Sequence, residues 1–571
     1  MTRNTIRLAA MPLSLALLAG CATVDDAGAP GAARYDVLIT GGTIYDGTGG
    51  QPFVGDVAIE GDRIVAVGDV EGTGATTIDA SGKAVAPGFI NMLSWATQSL
   101  LTDGRGMSDL KQGVTLEVFG EGWTMGPLNP EMKAAMAENA DYPVTWNTLG
   151  GYLEALEERG VSPNVASFVG ATTLRIHELG EFDVDPSPEQ LARMRGLVRQ
   201  AMEQGAMGVG TALIYAPGNY AETPELVALA SEAGKCGGMY ISHMRSEADD
   251  IDKAIDEVIT IAREGDLPAE IYHLKMAGKA NWDRLPEVVA QIEKARAEGL
   301  RITTNMYTYT AGGTSLDAVL PPWVQDGGRE AMLERLRDPE MRARIVAEMS
   351  APESDWENLL RLSGAENVML VDSENPEHEP LLGKRLSEIA AERNQTPQQA
   401  AVDLVIESTG IGTIFFMMSE ENVRKQTALP WMSFGSDAGA PAAEGETLQT
   451  AAHPRAYGTF ARVLGQYVRE DKALSLAEAV RKLTSQPAGN LGIRGRGKLD
   501  EGYFADVVVF DPATITDHAT FEQPHQYATG VRDVFVNGVQ VLAGGEHTGA
   551  TPGRVVRGPG WTGWPDGGAC R

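Results

Sequence analysis

The sequence predicts an α/β protein built on a (β/α)8 barrel of the TIM type, with a small β-sandwich formed by its two ends. Three observations point there. Between about residues 86 and 490, short apolar runs alternate with charged, helix-like stretches, the pattern of repeated βα units on a parallel sheet. The flanks carry short alternating strands separated by Gly and Asp turns, which read as hairpins. Histidines and a carboxylate stand where apolar runs give way to polar loops, and barrels place their sites at the C-terminal ends of the strands.

Taken in order, residues 1–21 carry Arg3 and Arg7, an apolar run from Leu8 to Ala19, and Leu18-Ala19-Gly20-Cys21. This resembles a bacterial lipoprotein signal, and the run is too short to span a membrane. Cleavage before Cys21 leaves its thiol for lipidation, with residues 22–34 as a linker. Ala22, rather than Asp, at the second mature position fits a periplasmic lipoprotein anchored in the outer membrane.

Residues 35–86 read as hairpins, with Asp36–Ile39, Thr43–Tyr45 and Asp56–Val67 around a Gly41-Gly42 turn. Residues 491–545 match them through Ala505–Asp511 and Val531–Val539, so the two ends are expected to form one sandwich, leaving 546–571 as a tail. Residues 87–490 form the expected barrel, including strand-like Val165–Val169, helix-like Pro188–Gly205, Met207–Gly210, helix-like Thr223–Gly234 and strand-like Met239–Ser242. Residues 321–430 are helix-rich and are assigned an insertion over the mouth, a lid or a surface decoration, plus one barrel strand at Val368–Val371. No Gly-x-Gly-x-x-Gly opens a helix, which weakens a dinucleotide-binding reading.

Composition narrows the function. At 571 residues and 43% hydrophobic content, the chain can bury a large core. With 47 Lys and Arg against 78 Asp and Glu, net charge is −31, and nucleic acid is excluded as a general partner. Apart from Cys21, the cysteines are Cys236 and Cys570, far apart and without CxxC spacing. No disulfide framework or structural zinc cluster is expected from them, and Cys236 reads as a packed small residue.

His243 in Tyr240-Ile241-Ser242-His243-Met244-Arg245, His273 in Ile271-Tyr272-His273-Leu274-Lys275, and Asp437 in Ser433-Phe434-Gly435-Ser436-Asp437-Ala438 each follow an apolar run. A lone histidine there is usually structural. Two with an Asp suggest a hydrolytic metal site.

The N-terminal Asp-x-Leu-Ile-x-Gly-Gly strand, Pro87-Gly88-Phe89-Ile90, the late Gly435-Ser436-Asp437 and the C-terminal Ala505-Asp506-Val507-Val508-Val509-Phe510-Asp511 resemble the amidohydrolase superfamily. Ser242–Arg245, His273–Trp282 and His453–Phe460 are similar to its D-aminoacylase branch, the N-acyl-D-amino-acid deacylases, over about residues 35–545. That resemblance implies a zinc-dependent enzyme cleaving small N-acyl amino acids.

Two departures stand out. The family's His-x-His pair is replaced by Leu93 and Trp95, whose side chains cannot bind a divalent metal. Where the branch carries Asn-Cys-Gly with a ligating Cys, this chain has Gly120-Glu121-Gly122. Glu121 is taken as the substitute ligand, with a bond to neighbouring loops as the alternative.

The implied site is one zinc ion held by His243, His273 and Glu121, with an open position for water. Coordination lowers that water's pKa toward about 7, and Asp437 serves as general acid/base for a metal-activated hydroxide. By resemblance, Lys275 with Tyr307 or Tyr309 binds the substrate carboxylate, and Arg245 either stands behind them or braces loops. His453 either orients substrate or plays a structural part, and Tyr215 either lines the pocket or packs. Competing readings keep the barrel but make it a dipeptidase, a cyclic amidase, or an inactive ligand-binding lipoprotein.

Overall fold

The computed structural model describes residues 33–408, 410–449 and 452–570. The signal segment with Cys21 lies outside the described residues, and no described helix is long and apolar enough to cross a membrane.

Phe89–Asn91, Val114–Phe119 and Asn164–Ser167 pair in parallel. Val169–Gly170, Gly208–Ala212, Met239–His243, Ala269–Ile271, Ile302–Met306 and Met432–Phe434 form a second parallel run. The runs join at both ends. Asn164–Ser167 leads through Phe168 into Val169–Gly170, while the Met92 N–H donates to the Phe434 carbonyl at 3.2 Å and Ser94 bridges Ala438 in parallel. With the two-piece third strand taken once, eight parallel strands close a barrel among the described residues.

Val114–Phe119 is buried throughout, as expected for a strand covered on both faces. The surrounding helices bury one stripe: Ile251–Gly265 turns Ile251, Ala254, Ile255, Val258, Ile259 and Ala262 inward, a spacing of three and four residues. Pro188–Glu203 starts where its sequence says it should, because Ser187 and Gln190 form a capping box with Pro188 in the first turn.

The two ends of the chain meet, as expected, in one β unit, a nine-stranded sheet. It curls so that Arg63 bridges Phe504, enclosing Ile39, Ile59, Val85, Val507 and Phe535.

Two expectations are corrected. Val368–Val371 is not a barrel strand. It lies in Val368–Ser373, the edge of an antiparallel three-stranded sheet with Ile411–Phe415 and Gly312–Ser315, inside the insertion. Its apolar run resembles a barrel strand because both faces are covered, Met369 and Val371 by Ala311 and Ile414, and Val368 and Leu370 by the main core.

Cys236 and Cys570 form a disulfide across a sequence separation of 334. Their spacing carried no signal because the chain's end returns to the base of the barrel. There the Val165 N–H donates to the Arg554 carbonyl at 3.0 Å, Val556 N–H to Val165 at 2.8 Å, and Gly558 N–H to Gly205 at 2.8 Å.

Candidate metal centre

The C-terminal ends of the strands converge on a cavity of ≈460 Å³. Glu121 follows the second barrel strand, between Gly120 at φ +116° and Gly122 at φ +77°. A Cβ at Gly120 would lie 2.8 Å from the Phe168 carbonyl, so only glycine lets the strand end pass close enough to present Glu121. His243 ends the fifth strand, His273 follows the sixth by two residues, and Asp437 follows the eighth by three.

His273 at φ +33° and Asp437 at φ +51° occupy the left-handed region, which costs a non-glycine residue free energy. Each is held there by a backbone hydrogen bond. The His273 N–H donates to Asn305 Oδ1 at 2.9 Å, and the Asp437 N–H to the Leu93 carbonyl at 2.8 Å.

One oxygen gathers the cluster. Glu121 Oε1 lies 3.0 Å from His243 Nδ1 and 2.8 Å from His273 Nε2. All three side chains are buried, and their ligand atoms lie within 4.8 Å of one another. Trp95 Nε1 donates to Glu121 Oε2 at 2.9 Å and to Asp437 Oδ1 at 3.1 Å. Behind His273, Glu247 Oε1 sits 2.9 Å from the ring's Nδ1 and 2.6 Å from Lys275 Nζ. Arg455 Nη1 lies 2.6 Å from Asp437 Oδ2.

These groups disturb one another's protonation. Burial pushes Glu121 up, but the His273 and His243 rings outweigh it and hold the carboxyl far below its usual range. Glu247 is likewise pushed up by burial and pulled below its usual range, chiefly by Lys275. Burial and Lys275 push His273 down, whereas Glu247 and Glu121 together carry it up to about 9. Asp437 is raised by burial, with Arg455 opposing and Glu121 adding to the rise.

The donor set fits zinc. Two imidazole nitrogens and a carboxylate oxygen already point at one place, which is three ligands of a tetrahedral catalytic site. Glu247 meets the far nitrogen of His273, as carboxylates orient metal-binding histidines. Charge agrees too: without a metal, a protonated His273 helps Lys275 and Arg455 balance Glu121, Glu247 and Asp437, and uncompensated buried charge is costly. A divalent cation would take the place of that proton.

Of the remaining sequence candidates, Lys275 and Tyr307 line the cavity, as does Tyr215. Tyr307 is overlooked by two cations, Lys275 Nζ at 5.7 Å and the Arg455 guanidinium at 4.7 Å from its ring centre. Three candidates sit elsewhere. Arg245 turns outward to pair with Glu257 at 3.0 Å and to donate to the Asn219 and Ala221 carbonyls, so it braces loops. Tyr309 gives its hydroxyl to Asp517 at 2.7 Å. His453 donates from Nε2 to the Ala311 carbonyl at 2.8 Å and accepts the Arg455 N–H on Nδ1 at 3.1 Å, which spends both ring nitrogens on backbone. Burial and Arg455 hold His453 well below its ordinary pKa. The bond on Nδ1 ties it to the backbone of Arg455.

Sequence reasoning passed over Glu247, Arg455 and the indole N–H of Trp95. Glu247 lies four residues after His243 and Arg455 two after His453, and neither loop has a periodicity that would have aimed them.

Residues 76–542 match the amidohydrolase family. The chain is 35% identical to D-aminoacylase from Alcaligenes xylosoxydans xylosoxydans over 530 residues, covering 91% of this chain and 97% of that protein. It superposes on solved D-aminoacylase, studied for one-metal activation and second-metal attenuation of its binuclear centre, with TM-score 0.77 and 33% identity over 92% of this chain and 100% of that one. The N-acyl-D-glutamate deacylase of Bordetella bronchiseptica, solved with zinc and a phosphonate mimic of the tetrahedral intermediate, gives TM-score 0.76 and 30% identity over the same shares.

Proposed function

Because the chain belongs to the amidohydrolase family, we propose that it is a zinc-dependent hydrolase cleaving N-acyl-D-amino acids to a carboxylate and a free D-amino acid. The observation that carries this is the convergence of His243 Nδ1 and His273 Nε2 on Glu121 Oε1, with Asp437 joined to the same group through Trp95. The similarity to D-aminoacylase and to an N-acyl-D-glutamate deacylase supports the substrate class.

A zinc ion held by Glu121, His243 and His273 supplies Lewis-acid polarisation of the scissile carbonyl and an activated water at neutral pH. Glu247 Oε1 and Lys275 Nζ both lie against His273 Nδ1, at 2.9 and 2.8 Å, and so hold the ring with the opposite nitrogen as the ligand. Asp437, whose pKa burial has raised, takes the proton of the attacking water and returns it to the leaving nitrogen. Lys275 and Arg455 flank Tyr307 on the cavity wall, where they meet the negative charge of the substrate carboxylate. Trp123, Tyr215, Phe415 and Met417 supply an apolar lining that limits water.

The test is a panel of N-acyl-D- and N-acyl-L-amino acids offered to zinc-loaded protein. Release of D-amino acids alone is expected, and turnover of the L series or of none refutes the reading.

We extend the proposal to location: residues 1–21 direct export and Cys21 takes the lipid, leaving the enzyme on the periplasmic side of an envelope membrane. The disulfide supports this, because such bonds persist in oxidising compartments. Palmitate labelling in cells, lost in Cys21→Ser, tests it.

A further inference from the structure

We propose that Trp95 is a positioning residue whose indole N–H occupies the place between Glu121 and Asp437 that a second cation would otherwise take, so that the centre works with one metal only. The inference rests on the metal-dependent reading above. A single N–H reaches both carboxylates, at 2.9 Å to Glu121 Oε2 and 3.1 Å to Asp437 Oδ1.

That divides the four carboxylate oxygens cleanly. Glu121 Oε1 faces the histidines and Oε2 faces Trp95; Asp437 Oδ1 faces Trp95 and Oδ2 faces Arg455. Glu121 is thereby restricted to ligation through one oxygen. Asp437 is fixed from two sides, which leaves it a lone pair for a proton but not the free pair of oxygens that a further ion would chelate.

The ring is not placed there by burial. Trp95 is 37% exposed, lines the cavity, and stands beside Ser94, whose bridge to Ala438 helps close the barrel. Its own N–H donates to the Ala438 carbonyl at 2.9 Å, which ties it to the segment carrying Asp437. What holds the indole edge inward is the pair of carboxylates.

Charge favours a neutral donor at this point. Three carboxylates against Lys275, Arg455 and one divalent cation leave the cluster one positive charge in excess, which substrate or a deprotonated water can meet. Another divalent cation would triple that excess in a buried site, at high cost. An indole N–H satisfies the two facing oxygens, adds no charge, and cannot exchange with solvent ions.

The experiment compares zinc-loaded wild type, Trp95→Phe, Asp437→Asn and the double variant, with Trp95→Gln as a donor without a ring. Trp95→Phe keeps the aromatic body and loses the N–H. It is expected to lower kcat by about 10- to 100-fold, the range for partners that orient a metal site, with KM changed less than about threefold. In the Asp437→Asn background the substitution should add almost nothing, and Trp95→Gln should recover part of the loss. Unchanged kcat, a loss that multiplies with that of Asp437→Asn, or no recovery with Gln overturns the proposal.

A second measurement needs no activity. Wild type dialysed against millimolar zinc should retain one zinc per chain by mass spectrometry; two per chain would overturn the inference. An inactive wild type that holds one zinc would refute the proposed substrate, and the role of Trp95 would then be read from Trp95→Ala, which should take up a second zinc under the same dialysis; one zinc in both would overturn it.

Discussion

The two ends of the barrel are built on opposite principles. At the base, the returning tail pairs backbone with backbone at Val165, Val556 and Gly558, and a disulfide pins Cys570 to a fully buried Cys236. At the mouth, Glu121, Glu247, Asp437, Lys275 and Arg455 crowd their charges together, and two of the reactive residues hold left-handed backbone. The base satisfies its own groups; the mouth packs carboxylates and cations around a place for a metal and substrate. Strain and buried charge are tolerated at functional ends because the rest of the fold supplies the stability.

The sharpest way to break this contrast is to remove a ligand. His273→Ala should lose zinc by mass spectrometry and lower kcat/KM by far more than the about 10- to 100-fold typical of outer partners, while the melting temperature of the apoprotein stays near that of wild type. A retained zinc would move the centre away from Glu121 and His243. Asp437→Asn comes next. It should keep its zinc and lose about 100- to 10,000-fold in kcat, the range for a general acid/base. Glu247→Gln is expected to weaken zinc about 10- to 100-fold, seen as a shift in chelator competition, because an amide holds the His273 ring less firmly and leaves Lys275 Nζ without its carboxylate.

The same contrast explains what could be read in the sequence. His243, His273 and Asp437 were visible because each follows an apolar strand, and a strand's end is a local property. Glu121 was visible only as a gap in a motif, with flanking glycines as the clue. Arg245, Tyr309 and His453 lie close in sequence to cavity residues, but their direction is set by distant partners, namely Glu257 on the following helix, Asp517, and the Ala311 carbonyl. Glu247 and Arg455 face inward for the same kind of reason. Proximity along a loop does not fix which way a side chain points. The barrel's alternating units were legible for the opposite reason, since burial of each strand and one stripe of each helix repeats along the chain. The insertion's Val368–Ser373 strand misled because two-sided burial looks alike in either sheet.

A change at the base should leave the mouth alone. Opening the disulfide with Cys236→Ser and Cys570→Ser should cost about 2–5 kcal/mol of stability, read as a lower melting temperature, with zinc content and kcat unchanged. Altered kcat would show that the tail's docking reaches the mouth.

The smallest effect lies just under the mouth, where Asn91 Nδ2 donates to Asp109 Oδ2 at 2.9 Å, to Glu117 Oε2 at 3.1 Å and to Ser436 Oγ at 2.8 Å. Asp109 and Glu117 are both buried, and burial raises both pKa values, the neighbouring Glu117 charge adding to the rise for Asp109. A carboxyl whose pKa is raised on folding binds more protons folded than unfolded. Stability therefore falls as pH climbs from the ordinary carboxyl range, about 4, through the raised folded values. Asp109→Asn replaces the protonated acid with a neutral group of the same shape. It should shift the melting temperature little at pH 5 and raise it at pH 8, flattening the decline between them. A variant less stable than wild type at pH 8 would mean that the pair is ionised and held by its amide and hydroxyl neighbours, making this layer part of the charged mouth rather than of the self-satisfied base.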